Sequence, residues 1–274
     1  QSTGGFSTLD NSIAEYQSPG MEALLILPMV VGSLSLPFLF RFVIQRKLSE
    51  LWTDLQAKAL IIAMIAGSVL LSLFLLLSGA IGSPFREGIF QFVSAISTTG
   101  WQTSNITAWD DISILFIVVT AMIVGGCAGA TVGGIKIIRA LLLQKGLIWH
   151  INKVFLSKNA VKAVKFGDKT MLPDEMNSEL ARAGIFTLIY GIFVFVSSLL
   201  TIHFMGDGFT LAHAIFESAS AQGTVGLSVG ITDPSMSPIL EGIYIIQMWA
   251  GRIEIIPLLV LIRVVFWGSK PRIA

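Results

Sequence analysis

The sequence predicts an all-α polytopic membrane protein built from repeated units, each a spanning helix, a half-helix, a turn and a second spanning helix. Three observations predict it. Of 274 residues, 54% are hydrophobic and 13% charged, against about 25% charged in an average soluble domain. The apolar residues gather in runs long enough to cross a bilayer, which takes about 20 residues. A short segment ending in Thr-x-Gly recurs at matching distances from those runs. The same composition excludes other classes. A net charge of +1 is too small to grip a phosphate backbone, so no nucleic acid is expected. The single cysteine, Cys127, rules out an internal disulfide framework.

Taken in order, Gln1 to Phe6 lacks an initiator Met and is neither signal peptide nor polar tail, so it reads as the cut edge of a larger protein. The apolar runs Met21 to Val43, Ala59 to Ile81 and Ala183 to Met205 are each expected to span once. Ile112 to Leu143 is too long for one simple span, and Ile239 to Trp267 is a span carrying Arg252 and Glu254 near its middle. Phe85 to Ile96 and Phe209 to Ala221 are too short to cross and fit re-entrant half-helices. Lys and Arg set the orientation. Residues 41–58 carry Arg41, Arg46, Lys47 and Lys58, residues 136–182 are strongly basic, and Lys270 and Arg272 close the chain. The other connections hold Arg86 against Glu87, Asp110, Asp111, Asp207, Glu217, Asp233 and Glu241. The basic side is therefore cytoplasmic, and both half-helices dip in from outside.

The repeat organises the chain. Phe90 to Trp101 aligns with Phe216 to Leu227 at an offset of 126 residues, pairing Ser94 with Ser220, Thr98 with Thr224 and Gly100 with Gly226. Thr3 and Gly5 fit the same frame, and Met29-x-x-Gly32, Met122-x-x-Gly125 and Met248-x-x-Gly251 follow each Thr-x-Gly at nearly one distance. The expected division is 1–56, the end of one repeat; 57–147, a full repeat with a Gly-rich broken helix; 148–178, a cytoplasmic linker; and 179–274, a further repeat. A half-helix returning as extended chain exposes carbonyls at membrane depth, tolerated only around a water-filled cavity or inside protein. Several such turns about one axis make a central pore whose carbonyls replace an ion's hydration shell.

Thr224-Val225-Gly226 is similar to the opening of the potassium-channel filter, though Leu227 and Trp101 stand where that filter continues. Repeated in one chain, with Ser97-Thr98-Thr99-Gly100-Trp101 and Ser2-Thr3-Gly4-Gly5-Phe6, it resembles the filters of the Trk/Ktr/HKT superfamily of potassium transporters, TrkH type. The stretch Gly125 to Lys136 resembles the glycine-rich break of that family's third repeat, and Gly251-Arg252-Ile253-Glu254 its arginine-bearing fourth. The resemblance covers essentially the whole chain.

The ion-filter positions are then Thr3, Gly4, Gly5, Thr98, Thr99, Gly100, Thr224, Val225 and Gly226, with K+ as the transported ion at the backbone of Thr3, Thr98 and Thr224. By resemblance, glycine at these positions favours potassium. Gly125, Gly126, Gly129, Gly133 and Gly134 should break the long span, because glycine costs about 1 kcal/mol against alanine inside a helix. The resemblance makes this break a gate beneath the filter; close packing through small residues is the other reading. Lys136 is not in the G-K-[ST] order of a phosphate-binding loop. Arg252 is by resemblance a pore-facing charge of the gate, or else half of a structural salt bridge between repeats with an acidic residue elsewhere; Glu254, which on a regular helix diverges from it by roughly 200°, is a structural partner rather than an ion ligand. Glu217 is either an attractor of cations at the outer mouth or a satisfied polar residue. His203 and His213 suggest no metal site. Trp101, Trp109, Tyr244 and Trp249 are candidate interface aromatics.

The implied function is potassium uptake by a pore-forming subunit of the plasma (bacterial inner) membrane, with no enzymatic step and no bound cofactor. Implied partners are cytosolic nucleotide-binding (RCK-type) regulatory subunits, a second copy in a homodimer, and membrane lipid. The alternative is a Na+- or H+-coupled secondary transporter with a midplane site on broken helices; the parallel repeats and outward-only half-helices count against it. An intramembrane enzyme would need a nucleophile–base or metal constellation, and the sequence offers none.

Overall fold

A computed structural model describes residues 3–8, 12–46, 53–79, 82–109, 111–155, 163–167, 169–206, 208–253 and 255–267. The regular structure of the described residues is helical apart from two minimal strand pairs. Among the described residues, two unbroken helices are long and apolar enough to span: α3 (Leu55–Ser78) and α7 (Pro173–Phe204). The helices that precede them in chain order are α1 (Pro19–Ser33) and α2 (Leu36–Leu39), the latter continuing as a π-helical turn, Phe40–Ile44.

The α3 helix begins where Asp54 accepts from the amides of Gln56 at 3.0 Å and Ala57 at 2.9 Å. Its 24 residues give about 36 Å of helix, more than the roughly 30 Å of hydrocarbon to be crossed. One stripe, Leu60, Met64, Ser68, Leu71 and Leu75, is buried, while Ile62, Ile65, Val69, Leu73 and Leu76 are exposed. The α7 helix repeats the pattern, with Phe186, Tyr190, Val194 and Thr201 inside and Ile185, Leu188, Ile192, Phe195 and Leu199 outside. Outward apolar stripes at three- and four-residue spacing suit lipid, which is as apolar as leucine.

Inside this wall stand the half-helices α4 (Pro84–Ile96) and, completing the later repeat, α8 (Leu211–Gly223). Between them in the chain come α5 (Ile112–Ile123), strand β1 (Val124–Gly125), strand β2 (Ile135–Lys136) and α6 (Ile137–Val154). Pro84 opens α4 at a position where its missing N–H costs nothing. Thr210 and His213 cap α8 reciprocally, which assigns His213 a structural role. Every residue from Phe90 to Ile96 is buried, so α4 lies in the core. A hairpin, β3 (Val164–Phe166) against β4 (Lys169–Met171), occupies the expected linker. The last elements are α9 (Pro238–Arg252) and α10 (Ile255–Trp267).

Three expectations need correction. Met21 to Val43 is not one straight helix: the chain bends by 109° between α1 and Leu36–Ile44, as in a broken span or a re-entrant loop. Ile239 to Trp267 is likewise divided between α9 and α10. Arg252 therefore ends a helix instead of lying within one. The reason is shared: each break follows the repeated Met-x-x-Gly, and Pro37 or Pro257 sits in the first turn of the resumed helix. Trp109 and Tyr244 are buried in the core and so are not interface aromatics; Trp249 is exposed. Glu254, Asp110, Asp207, Lys47, Lys270 and Arg272 lie outside the described residues.

Candidate functional site

The half-helices end immediately before the repeated turns. Thr98 and Thr224 donate their amides to Ala95 and Ala221 at 3.1 Å each, and Thr99 and Val225 donate to Ser94 and Ser220 at 3.0 and 2.9 Å. The 126-residue repeat is thus reproduced bond for bond. Thr3, Thr98 and Thr224 have φ of 47°, 50° and 52°, and Gly5, Gly100 and Gly226 have 64°, 84° and 96°. A β-branched residue at positive φ is an outlier costing on the order of 1–3 kcal/mol. Its occurrence in three corresponding turns marks a conformation held for a purpose.

The three turns lie side by side. A methyl group on Gly100 would overlap the Val225 carbonyl, with Gly226 Cα only 3.0 Å away; one on Gly5 would overlap the Thr99 carbonyl. Only glycine permits that approach at positive φ. Outside the turns, Gln102 joins the repeats: its Nε2 donates to Ser228 O at 2.9 Å and its carbonyl accepts from Ala14 at 2.9 Å. Trp101 Nε1 donates to Phe6 O at 3.1 Å, which makes this tryptophan a clamp between turns.

The Gly-rich segment leaves α5 through β1 and returns through β2, which pairs parallel to it, Val124 with Ile135 and Gly125 with Lys136. The loop between them seats its far end against all three threonines. Thr3 Oγ1 donates to Thr131 O at 3.1 Å, Gly133 N donates to Thr98 Oγ1 at 3.2 Å, and Gly133 packs on Thr224 Oγ1 and the Gly223 carbonyl. Thr224 Oγ1 has no hydrogen-bond partner among the described residues. Arg252 Nη1 donates to the Thr131 carbonyl. Lys136 Nζ donates to Val132 O. Gly129 is elsewhere, its carbonyl accepting from Leu36 N at 3.2 Å at the bend after α1. Gly126 packs on Ser33, and Gly134, at φ 72°, on the end of α5. Gly4 is exposed beside the first turn.

Three participants escape the sequence reading. Thr131 receives both Thr3 and Arg252; as a hydroxyl residue within a Gly-rich loop it was visible but unread. Gln56 accepts from Ala128 N at 2.9 Å and ties α3 to the loop. Gln91 stands opposite Glu217 in the repeat register. Glu217 is buried and fully engaged by Ser228, Val229 and Thr232. In the outer loop, the Ser235 hydroxyl and amide donate to Asp233 and hold its carboxyl below the ordinary range.

Lipid-facing helices around re-entrant half-helices, with neighbouring strained turns and a loop seated on them, define a polytopic membrane protein of the pore-loop type. The sequence comparisons then place it. The chain belongs to the TrkH family of cation transport proteins, whose pattern matches residues 1–267. It is 30% identical over 274 residues to the Trk system potassium uptake protein TrkH of Escherichia coli, covering 96% of this chain and 54% of that protein. It is 29% identical to an uncharacterized cation transporter of Methanocaldococcus jannaschii, covering 97% of this chain and 53% of the relative. The crystal structure of the potassium transporter TrkH from Vibrio parahaemolyticus superposes with a TM-score of 0.83 at 25% identity, covering 97% of this chain and 57% of that one. The chain thus spans about half the length of these relatives.

Proposed function

We propose that this chain forms the greater part of a potassium-conducting pore in a Trk-type uptake protein of the plasma (or bacterial inner) membrane. The observation that carries the reading is the threefold recurrence of a left-handed Thr, one residue and a left-handed Gly, in adjacent turns at the ends of half-helices or beside them. K+ would pass along the carbonyls of Thr3-Gly4-Gly5, Thr98-Thr99-Gly100 and Thr224-Val225-Gly226, completed by a fourth turn from sequence outside this chain. The C-terminal ends of α4 and α8 point at the turns, and a helix C-terminus carries roughly half a negative charge, which favours a dehydrated cation.

The 125–134 loop is the gate in this reading, and a loop seated on the turns is its closed position. Its carbonyls and amides occupy the filter threonines from one side, and Arg252 holds it there while placing a positive charge in the path of a cation. Cytosolic nucleotide-binding subunits acting on the basic face would move the loop, and the assembly would be a homodimer; both follow from the family resemblance.

The test is rubidium uptake into liposomes holding the full-length protein, with potassium or sodium as competitor. Competition by potassium and not sodium is expected, and Gly226→Ser should weaken that preference. Absence of uptake even after deletion of the gate loop would refute the pore.

A further inference from the structure

Glu217 and Gln91 hold the same place on successive half-helices, 126 residues apart. Both are buried, at 2% and 0% exposure. Both reach past the turn to the chain that leaves it. Glu217 accepts from Ser228 Oγ at 2.9 Å, from Val229 N–H at 3.1 Å and from the Thr232 hydroxyl. Gln91 reaches the same strand: its Nε2 lies 3.4 Å from Ser104 Oγ, and with the amide turned over, the orientation that the neighbouring donors favour, its oxygen accepts from Thr103 N–H at 2.9 Å and Ser104 N–H at 3.3 Å. Thr103 and Val229 are again 126 residues apart. One residue type is charged and the other neutral, yet the bond to the outgoing strand is the same.

We propose that Gln91 and Glu217 are positioning residues for ion selectivity, each a brace that fixes the outer limb of its turn by accepting hydrogen bonds; this rests on the pore reading above. The turns have no regular secondary structure to hold them, and their threonines sit in a disfavoured backbone region. Such a conformation persists only where its surroundings over-determine it. On the inner side, hydrogen bonds to Ala95, Ser94, Ala221 and Ser220 do so. On the outer side the chain forms neither helix nor strand; Trp101 and Gln102 link it to neighbouring turns, and the side chains of Gln91 and Glu217 tie it back to its own half-helix. The carboxylate binds more donors than the amide, but its charge is not the working feature: Gln91 does the same task without one. Neither side chain faces the passing ion. Both set where the carbonyls of Thr99-Gly100 and Val225-Gly226 stand.

The experiment is rubidium uptake by the full-length protein in liposomes, read as the ratio of potassium to sodium competition. Glu217→Gln should keep that ratio within about twofold of the unmutated protein, and Glu217→Ala and Gln91→Ala should each lower it about tenfold or more. Should the alanine variants fail to yield monodisperse protein, Ser228→Ala combined with Thr232→Val decides. That pair removes two donors and leaves Glu217 in place, and it should lower the ratio by about threefold or more. The brace is overturned if Glu217→Gln loses selectivity as fully as Glu217→Ala, since charge would then be the working feature. It is overturned equally if Glu217→Ala, or the donor pair standing in for it, leaves selectivity intact. An unmutated protein that takes up rubidium without distinguishing potassium from sodium would instead refute the selective filter itself.

Discussion

Gly133→Ala adds one methyl group at the point where the proposed gate loop meets the proposed filter turns. That methyl would overlap both the Gly223 carbonyl oxygen and Thr224 Oγ1, and would stand 2.8 Å from the Gly223 carbonyl carbon. The obstructing atoms are backbone at the end of α8 and a hydroxyl on a strained turn, so neither side yields easily. Overpacking of this kind costs about 1–3 kcal/mol, and the cost falls on the seated loop alone. Since about 1.4 kcal/mol is tenfold in an equilibrium, the ratio of unseated to seated loop should rise about 5- to 150-fold. The assay is rubidium flux into liposomes without any cytosolic partner, where the seated loop keeps the flux low. Flux should rise within that range while potassium still outcompetes sodium. Gly191→Ala is the control, because a methyl there, on the outer part of α7, meets nothing within 4 Å. Unchanged flux in Gly133→Ala, in protein that remains monodisperse, would refute the gate.

Other expectations share that preparation. Arg252→Gln removes the guanidinium from the Thr131 carbonyl and should also raise basal flux; combined with Gly133→Ala the increments should fall short of additivity, since both act on one contact surface. Arg86 grips Glu22 through two bonds of 2.7 Å across the boundary between repeats. Glu22 is 3% exposed, so Arg86→Gln should strand its carboxylate and destabilise the protein by about 1–3 kcal/mol, less than the roughly 3–5 kcal/mol of a fully buried pair because Arg86 is itself exposed. Thermal unfolding in detergent checks this, with Glu22→Gln added to Arg86→Gln expected to restore much of the loss.

What the sequence made legible follows from what each period encodes. Lipid-facing stripes and half-helix lengths are local properties, so α3, α4, α7 and α8 could be placed from spacing and run length. The turns were legible because the repeat prints the same Thr-x-Gly three times. Breaks in α1–α2 and α9–α10 were not, because both runs are apolar on average despite charges such as Arg41 and Arg252; hydropathy reports burial in lipid but not whether the helix is continuous. The contacts of Thr131 and Gln56 were hidden for another reason. They join residues 72 or more positions apart through backbone atoms, and a backbone donor or acceptor leaves no mark on side-chain pattern. Gln91 was recoverable from the 126-residue register alone, had the alignment been extended to roles as well as identities.

The three breaks explain why the proposed gate loop sits where it does. A helix that stops inside a membrane leaves terminal carbonyls without partners, and hydrocarbon supplies none. At the end of α1 those carbonyls are taken by the loop of the next repeat: Cys127 N donates to Ser33 O at 2.9 Å and Thr131 Oγ1 to Gly32 O at 3.4 Å. The loop is therefore held by the break of one repeat, seated on the turns of three, and latched by the arginine that ends the helix of another. Unseating it strips Ser33 and Gly32 of their partners, which only water can replace at that depth. For the proposed gate, opening and the entry of water at that depth are then a single event. Hydrogen exchange tests this on the amides of Cys127 and Gly133, which should speed up together in Gly133→Ala, while the Val225 amide, bonded within its own turn, keeps its protection. If Gly133 exchanges faster and Cys127 does not, the loop moves as two parts and the coupling of gate to water is wrong.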